Sequence, residues 1–449
     1  MNMTRRNFLQ ASALTLGATQ LPQSATAAVA GDPKSKPNML FIICDQLGLD
    51  AIGAHGYKDG LTPNLDRLIK NGTTFMESHS TNPVCSPARS SMLTGRMPIE
   101  TGVPVNGRPI HSSCPNLGQW FGENGYESVY CGKWHLPEGY TSRMPGFTVL
   151  PAGRAAGEQG DLIDTVVSRT CESYLKSRSR EKPFLLVASL LQPHDICYYG
   201  NAMPGICRVP EKLSFSEIAA ELPELPHNYN ARPKAPQALE KCRFDRFKND
   251  EQWRYYLYVY ARMIEMLDAD VGRILDALEA SGQAKNTIVV FTSDHGDGRG
   301  RHKHVSKWYP YEEAMKVPLV VSWPGRVAEG HCDKEHLVSG LDIMSTLCDY
   351  AKIDPPKKVK GRSLRPLLEK KNIEWREFVA AEFRQKGMMI RTGQYKYVHF
   401  EGDPVEQLFD MKKDPWEKEN LYEEPKLADV LKDHRRMLEE WNSIIKPPA

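Results

Sequence analysis

The run "NMLFIIC", residues 38–44, decides the fold of this chain. Six of its seven residues are apolar, and a continuous apolar run of this length is typical of a buried strand. The run ends in the polar pair Asp45-Gln46. Because ligands in open α/β sheets bind beyond the carboxyl ends of the strands, this pair is the first candidate for a functional site.

Three further apolar runs predict strands of the same sheet. They are "YESVYC" (126–131), "PFLLVASLL" (183–191) and "NTIVVFTS" (286–293). Helical patterns separate the runs, and strands that alternate with helices are typical of α/β proteins. We therefore predict an α/β fold with a mostly parallel, doubly wound sheet flanked by helices.

Two of the helices have recognisable ends. "TPNLDRLIKNG" has Thr62 as the expected N-cap, Pro63 at the first helical position and Gly72 just past the end. A long amphipathic helix is predicted over about 252–280, and Gly282 is expected to close it.

The character of the chain changes after "PPKK" (355–358). "EFVAAEFR", "KGMMIRTGQYKYVHF" and "EQLFDMKKDP" predict antiparallel strands, and "LADVLKDHRRMLEEW" predicts an amphipathic helix. We predict an α/β domain over 38–358 and a small C-terminal subdomain of antiparallel sheet and helix over 360–449. Residues 196–250 lack clear periodicity and contain many prolines, so they are expected to form an insertion or a long loop.

Composition excludes several classes of partner. The 449 residues are 41% hydrophobic and 25% charged, as in ordinary globular proteins. The formal net charge is +2, and Arg5 and Arg6 account for both positive charges. This balance gives no indication of nucleic acid or a membrane surface as a partner.

Residues 1–30 resemble a bacterial twin-arginine export signal. Arg5 and Arg6 precede a short, mildly apolar region, and small residues follow at 25–30. An ordinary disordered terminus is the alternative. The apolar part is too short and too polar to span a bilayer, and no other segment reaches that length. The signal predicts a partner, the twin-arginine export machinery, and a periplasmic or secreted location.

The cysteines show no zinc-type spacing. Twin-arginine export carries folded proteins, so most thiols would be buried before they meet an oxidising compartment. We therefore expect few disulfides among the ten cysteines, which are Cys44, Cys85, Cys114, Cys131, Cys171, Cys197, Cys207, Cys242, Cys332 and Cys348.

Chemically competent side chains follow all four predicted strands. Any one of these groups alone could be a solvated loop, but four strand ends that carry such groups together predict a metal or anion site at one edge of the sheet. The residues are Asp45 and Gln46, Lys133 and His135, His194, and Asp294 and His295.

The stretch "NPVCSPARSSMLTGR" (82–96) adds a candidate nucleophile. Pro87 fits the first turn of a helix, which places Cys85 at the N-terminus, beside free backbone N–H groups and the positive end of the dipole. Arg89, one turn later, can reach the same point with its fork of donors. This arrangement is suited to a tetrahedral oxyanion.

"CSPARSSMLTGR" resembles the formylglycine signature of the type I sulfatases, members of the alkaline phosphatase superfamily. The resemblance continues through "GKWH", "QPH", "TSDHGD" and "KWYPYEEAMKVPLVVSWPG" to "RTGQYKYVHF" and "EQLFDMKKDPWEKENL", and covers about 38–422. It implies a sulfatase whose catalytic domain is the 38–358 unit. It also implies that a maturation enzyme oxidises Cys85 to formylglycine, and that one divalent cation, usually calcium, is bound.

The resemblance also assigns roles to individual residues. The hydrated aldehyde at position 85 is the implied nucleophile, held by Arg89 and Lys133, and His135 takes the proton of its second hydroxyl group. His194 and Lys307 bind the sulfate and assist the leaving oxygen. The implied metal ligands are Asp45, Gln46, Cys85, Asp294 and His295, and the implied substrate-binding residues are Asn106, Lys133, His194, His302 and Lys307.

Two features depart from the usual pattern or extend it. Many family members have Asp-Asp where this chain has Asp45-Gln46, so one negative charge is missing from the metal site. A basic loop, "GRGRHKHVSK" (298–307), contains His302 and His304, which are expected to line the substrate mouth or to face water. The loop would suit a polyanionic sulfated glycan. The tyrosine cluster at 255–260 is expected to pack the helix, with a sugar platform as the alternative.

These observations predict hydrolysis of a sulfate monoester, most plausibly on a carbohydrate. A phosphomonoester or phosphonate ester hydrolase of the same superfamily is one alternative, and a non-catalytic glycan-binding relative is another. The second alternative predicts an eroded site, whereas the chain retains every implied catalytic residue.

Overall fold

This computed structural model describes most of the chain, including the residues at every predicted strand end. The export signal predicted at 1–30, together with Cys207 and Cys242, lies outside the described residues. The described residues are 36–136, 144–152, 159–199, 218–240 and 247–448.

A large mixed sheet contains all four strands predicted upstream. Its order is β5-β4-β6-β1-β7-β8-β2-β9, in which only β8 runs antiparallel to its neighbours, so the prediction of a mostly parallel sheet is confirmed. A two-stranded sheet, β10-β3, accompanies it. The strands are β1 Asn38–Asp45, β2 Thr73–Phe75, β3 Ser78–His79, β4 Glu127–Gly132, β5 Thr148–Val149, β6 Phe184–Pro193, β7 Thr287–Ser293, β8 Leu319–Ser322, β9 His331–Asp333 and β10 Val338–Ser339.

Helices cover both faces of the large sheet. The α-helices are α1 Pro63–Lys70, α2 Cys85–Thr94, α3 Pro98–Thr101, α4 Leu117–Glu123, α5 Gly160–Ser177, α6 Ile196–Tyr199, α7 Gln237–Glu240, α8 Asp250–Ala280, α9 Glu312–Met315, α10 Asp342–Ala351, α11 Arg365–Leu368 and α12 Ala428–Ile444. The 3-10 turns are Gly53–His55, Ala219–Glu221, Ala284–Asn286, Arg301–Lys303, Arg384–Lys386 and Pro425–Leu427.

Strand β1 is apolar throughout because both of its faces are buried. Leu40 and Ile42 belong to a core cluster that includes α5 and α8. Phe41 and Ile43 belong to the opposite cluster, which includes α4 and α10. Every residue of β1 is buried, and this is why its sequence shows a continuous apolar run rather than alternation.

The two helices with recognisable ends form where the sequence predicts them, with one difference in detail. Thr62 is the N-cap of α1, but its hydroxyl group donates to Asp66 Oδ1 at 3.0 Å instead of capping the backbone. Gly72 follows α1 by two residues, and a Cβ atom there would lie 2.5 Å from the backbone oxygen of Val321. Close packing on β8, rather than helix closure, therefore requires this glycine. Gly282, with φ +73°, follows α8 as predicted.

The C-terminal region forms a separate antiparallel sheet with a helix packed on it. The strands β11 Phe378–Phe383, β12 Gly387–Thr392, β13 Tyr395–Phe400 and β14 Gln407–Asp410 pair in sequence order. Apolar residues of α12 join those of the sheet in one cluster. The sheet-and-helix prediction is confirmed, and the domain limits 38–358 and 360–449 stay predictions.

Eight cysteines in the described residues are free thiols, and seven of these are buried. Among the described residues, no helix is both long enough and apolar enough to cross a membrane.

Candidate active site

The carboxyl ends of four adjacent parallel strands meet at one edge of the large sheet. Asp45 ends β1, and the next two residues after β7 are Asp294 and His295. Lys133 follows β4, and His194 follows β6. Because β4, β6, β1 and β7 are consecutive in the sheet, their polar ends lie side by side, as the sequence predicts.

Cys85 is the first residue of α2, as the position of Pro87 predicts. Val84 is the N-cap and offers no side-chain cap. Instead, the backbone N–H of Ser86 donates to Asn106 Oδ1 at 3.0 Å. The exposed Asn106 thus satisfies a free donor of the first turn, and Cys85, which has no exposed surface, lies at the positive end of the helix dipole.

Three charged groups surround the sulfur atom of Cys85. Lys307 Nζ lies 3.2 Å from Sγ, His295 Nε2 lies 3.3 Å away and Asp45 Oδ1 lies 3.7 Å away. Burial and the charge of Asp45 raise the pKa of the thiol. The positive charges of Lys307, Lys133 and His295 lower it by a larger amount, and the resulting pKa is well below the ordinary value. The site therefore stabilises negative charge at position 85.

Arg89 joins the two carboxylates of the site. Its Nε donates to Asp294 Oδ2 at 2.8 Å, and its Nη2 donates to Asp45 Oδ2 at 3.2 Å. Nη1 donates to Ser189 Oγ at 2.7 Å and to the backbone oxygen of Lys133 at 3.1 Å. Burial opposes the charge of the guanidinium, but Asp294 and Asp45 outweigh it and raise the pKa of Arg89, so this cation is permanent.

Two lysines make the site electropositive. Lys133 Nζ lies 2.8 Å from Asp45 Oδ2 as an ion pair without hydrogen-bond alignment, and Lys307 Nζ donates to Gln46 Oε1 at 2.8 Å. Both side chains are almost fully buried. Together with Arg89 they place three buried cations at the strand ends, and such a cluster of positive charge favours an anionic ligand.

The donor set at the same place fits a cation. Asp45, Cys85, Asp294 and His295 each offer an atom, and these atoms lie within 4.8 Å of one another. Burial and the neighbouring Asp45 raise the pKa of Asp294 to about 6, because a buried carboxylate beside another negative charge ionises less readily. Carboxylate oxygens and the amide oxygen of Gln46 suit a hard cation such as calcium, whereas the imidazole is a less natural ligand for it.

Two histidines at the site have nitrogen atoms without a partner. His135 Nδ1 and His194 Nδ1 are buried and make no hydrogen bond to the described residues. Ser86 Oγ donates to the backbone oxygen of His135 and fixes this segment against α2. Burial, Lys133 and Lys307 hold the pKa of His194 well below its ordinary value, so its imidazole is neutral.

The expectation that His302 and His304 face water is wrong, and the substrate-binding role of His302 stays a prediction. Both imidazoles are buried, at 3% and 2% exposure. The ring of His302 stacks on Tyr311 with centroids 4.2 Å apart, and its Nδ1 lies 3.0 Å from Glu313 Oε1. Its Nε2 lies 3.2 Å from the backbone oxygen of Glu417. These contacts occupy both nitrogen atoms.

Several residues that hold the site were missed by sequence reasoning. Ser189 is inside an apolar run that predicts only a strand. Asp297 closes the quoted motif "TSDHGD", but no role was assigned to it. Tyr256 and Tyr260 belong to the tyrosine cluster that was expected to pack the helix or to form a sugar platform. Their hydroxyl groups contact Asp297 and the backbone of Gln46, which neither expectation includes.

Comparison with known proteins agrees with this geometry. A family model described as Sulfatase matches residues 37–353, and one described as N-sulphoglucosamine sulphohydrolase, C-terminal, matches residues 300–443. A Delta 4,5-hexuronate-2-O-sulfatase from Bacteroides thetaiotaomicron is 31% identical over 446 residues, which are 93% of this chain and 91% of that protein. An arylsulfatase from Clostridium perfringens is 28% identical and covers 90% and 94% of the two chains.

Solved structures have the same architecture. A 2-O GAG sulfatase superposes with a TM-score of 0.79 and 29% identity over 91% of this chain and 92% of that chain. A phosphonate monoester hydrolase of Agrobacterium radiobacter shares the fold, with a TM-score of 0.75 and 24% identity over 91% and 96% of the two chains. The chain belongs to the type I sulfatase family of the alkaline phosphatase superfamily and is a sulfuric ester hydrolase.

Proposed function

We propose that this sulfatase hydrolyses a sulfate monoester of a sulfated carbohydrate, with a formylglycine made from Cys85 as the nucleophile and one calcium ion at the site. The observation that carries the proposal is the position of Cys85. It is the first residue of a buried helix N-terminus, with Lys307 Nζ 3.2 Å from its sulfur atom and the cation donor set beside it. A structural cysteine requires none of these neighbours.

When present, the formylglycine hydrate supplies one hydroxyl group for attack and a second that can lose a proton, and calcium stabilises negative charge on the attacking oxygen. Asp45 and Asp294, with Gln46 and His295, would hold the cation. Arg89 keeps both carboxylates in place through its bonds at 3.2 and 2.8 Å. The geometry of the cation site is thus set before substrate enters.

The remaining residues act on the sulfate group and on protons. Lys133 and Lys307 stabilise the negative charge that develops as the ester bond breaks. His194 is neutral, so one of its ring nitrogens carries a proton and can donate a hydrogen bond to the leaving oxygen. His135 Nδ1, which has no partner in the described residues, is the proposed acceptor for the proton at position 85. Asn106 contributes by capping α2.

Maturation must precede folding. Cys85 has no exposed surface, so a formylglycine-generating enzyme has to reach it while the segment around α2 is still accessible. If residues 1–30 are a twin-arginine signal, this step occurs before export of the folded protein to the periplasm or beyond.

Replacing Arg5 and Arg6 by lysine is expected to retain the protein in the cytoplasm, and unchanged export would contradict the assignment.

A sulfated uronic acid residue is the substrate to test first. The hexuronate-2-O-sulfatase relative and the 2-O GAG sulfatase structure support this class. The basic loop supports it less than the sequence suggests, because Arg299 and Arg301 both pair with Asp50. These ion pairs compensate part of the positive charge that a polyanionic glycan would require.

Mass spectrometry of the tryptic peptide Asn71 to Arg89, from protein made in a host that matures sulfatases, tests the nucleophile. We expect an aldehyde at Cys85 together with release of inorganic sulfate from Δ4,5-hexuronate 2-O-sulfate. Cys85→Ala is expected to abolish sulfate release. Cys348→Ala is the control and is expected to retain sulfate release, because Cys348 is a buried cysteine of the core cluster that includes α4 and α10.

A substrate panel separates the alternatives. Phosphonate and phosphate monoesters should be cleaved far more slowly than sulfate esters. An unmodified thiol in active protein would overturn the formylglycine mechanism. Faster cleavage of a phosphonate than of every sulfate ester in the panel would instead favour the phosphonate ester hydrolase.

A further inference from the structure

Charged groups hold the Gln46 side-chain amide at both ends. Its Nε2 donates to Asp297 Oδ2 at 2.7 Å, and its Oε1 accepts from Lys307 Nζ at 2.8 Å. Cys197 Sγ also donates to Oε1, at 3.3 Å. Gln46 and Asp297 have no exposed surface, and Lys307 is 4% exposed, so water does not compete for these contacts.

This arrangement permits only one orientation of the amide. A flipped amide would place its oxygen 2.7 Å from the carboxylate of Asp297 and its nitrogen 2.8 Å from the ammonium group of Lys307. The first contact would bring together two acceptors and the second two donors. In a buried site both mismatches are costly, so the amide oxygen points away from Asp297 and toward Lys307, whose Nζ lies 3.2 Å from Cys85 Sγ.

Asp297 is itself held in place. The hydroxyl group of Tyr256 donates to its two oxygens at 3.0 and 3.1 Å, and the backbone N–H of Arg299 donates to Oδ1 at 2.8 Å. With the amide of Gln46, these donors occupy both carboxylate oxygens. The side chain of Asp297 therefore has a fixed position from which it can orient a neighbour.

Helix α8 also holds the backbone of Gln46. Tyr260, one turn after Tyr256, donates its hydroxyl group to the backbone oxygen of Gln46 at 2.7 Å. The backbone N–H of Gln46 donates to Asp294 Oδ1 at 3.2 Å. These bonds support a left-handed conformation, φ +73°, which is uncommon for residues other than glycine. Two tyrosines on one face of α8 thus support the site from behind.

We propose that Asp297 is a positioning residue that keeps the side-chain oxygen of Gln46 directed at the cation site, so that a neutral amide can serve there as a ligand. The inference rests on the proposed cation site. A carboxylate offers oxygen in either orientation, whereas an amide offers oxygen in one and an N–H donor, which repels a cation, in the other. An amide ligand therefore needs a partner such as Asp297.

The test is calcium titration, by calorimetry, of the full-length protein after removal of metal with a chelator. Asp297→Asn presents either an amide oxygen or an amide nitrogen to Gln46 and no longer selects one orientation. We expect its calcium affinity to fall by about 10-fold or more, as is usual when a residue that orients a metal ligand is replaced. Asp268→Asn, at a buried carboxylate that accepts from the backbone of Leu65 at 2.8 Å, should bind calcium like the wild type.

A charge-neutral exchange distinguishes a local effect on calcium binding from a requirement of Asp297 for folding. Gln46→Glu combined with Asp297→Asn keeps the net charge of the pair, and the amide of residue 297 can then donate to the new carboxylate. This double variant is expected to recover most of the affinity that Asp297→Asn loses. Recovery of this kind would not follow if Asp297 were needed only for folding.

Four results would overturn the inference. The first is wild-type affinity in Asp297→Asn, and the second is a double variant that binds as weakly as Asp297→Asn. If Asp297→Asn does not fold, Tyr256→Phe can be used instead, because it removes one donor to Asp297 and should also weaken calcium binding. An unchanged calcium affinity in Tyr256→Phe is the third result. Absence of calcium binding to the wild-type protein would overturn the cation site itself and the inference with it.

Discussion

Lys133 Nζ lies 2.8 Å from Asp45 Oδ2, and neither side chain has any exposed surface. Asp45 also contacts Arg89 at 3.2 Å, so it keeps a cationic partner when the lysine is removed. Asp45 therefore retains a cation in the absence of Lys133, which is consistent with the proposed action of the Lys133 ammonium group on a bound sulfate.

Lys133→Met is expected to lower kcat by about 100-fold or more, because it removes one preorganised cation from the transition state. Calcium affinity should be retained or should rise, because the substitution removes a positive charge from beside the cation site. Steady-state kinetics on a sulfated uronic acid, combined with calcium titration, measure the two effects. Lys316→Met is the control, since Lys316 pairs with Glu77 at 2.7 Å outside the donor set. Loss of calcium binding at unchanged kcat would show that Lys133 serves Asp45 instead.

A second buried lysine has a structural role. Lys396 has no exposed surface, and its Nζ lies 2.9 Å from Glu312 and 2.8 Å from Glu417. Lys396→Met leaves Glu417 buried without its cation and leaves Glu312 with the more distant Lys316, at 3.6 Å. Breaking a buried pair in this way costs about 3–5 kcal/mol of unfolding free energy. Chemical denaturation measures the loss.

The surface pair of Lys386 and Glu401 provides the comparison for Lys396. It has a similar separation, 2.7 Å, but both side chains are more than half exposed. Lys386→Met should cause little measurable change in stability, because solvent screens exposed pairs. Equal effects of the two substitutions would contradict the role given to burial.

The main strands could be predicted from sequence because their residues are buried on both sides and form long apolar runs. The short strands β2, β3, β9 and β10 contain two or three residues each, which is too few for any periodicity. Strand β8 was not predicted either, although its sequence "LVVS" is apolar. Its antiparallel pairing with β7 depends on contacts between distant segments, which a local pattern does not encode.

The site could be predicted as far as strand ends and helix starts determine it. Asp45, Lys133 and Asp294 follow from the rule that parallel strands end at one edge. The supporting residues could not be predicted in this way, because their partners are remote in sequence. Arg89 and Ser189 are 100 positions apart, and Gln46 and Asp297 are 251 apart. Only the fold brings such pairs together.

The assignment of His302 to substrate binding stays a prediction, and its buried contacts support a packing role that the sequence does not reveal. The structure gives it a packing role against Tyr311 and Glu313. His302→Phe keeps the stacking ring but removes both hydrogen-bonding nitrogens. It should lower the melting temperature while KM for the sulfated substrate stays within about twofold of wild type. A large rise in KM at unchanged stability would support the substrate-binding assignment.

Glu382 predicts a pH dependence of stability that is separate from catalysis. This carboxyl group is 7% exposed and lies 3.1 Å from the backbone N–H of Ile99. Burial and the nearby Glu100 together raise its pKa to about 8, against the bond from Ile99, which lowers it. The folded state therefore binds a proton more tightly than the unfolded state does. The stability that Glu382 contributes is complete below about pH 4, the range in which an unperturbed Glu titrates, and is lost progressively as the pH rises to about 8.

Glu382→Gln should remove this part of the pH dependence. The amide cannot ionise and still offers an oxygen to Ile99. Relative to wild type, the variant should become more stable as the pH is raised from 5 to 8. The gain is about 1.4 kcal/mol for each pH unit of this range that lies between the unfolded and the folded pKa of Glu382. Denaturation at several pH values measures the difference, and subtraction from wild type cancels the contributions of other titrating groups. Glu401→Gln, at an exposed carboxylate, should leave the curve unchanged. If the stability of Glu382→Gln depends on pH in the same way as that of the wild type, Glu382 is already ionised in the folded protein at pH 5.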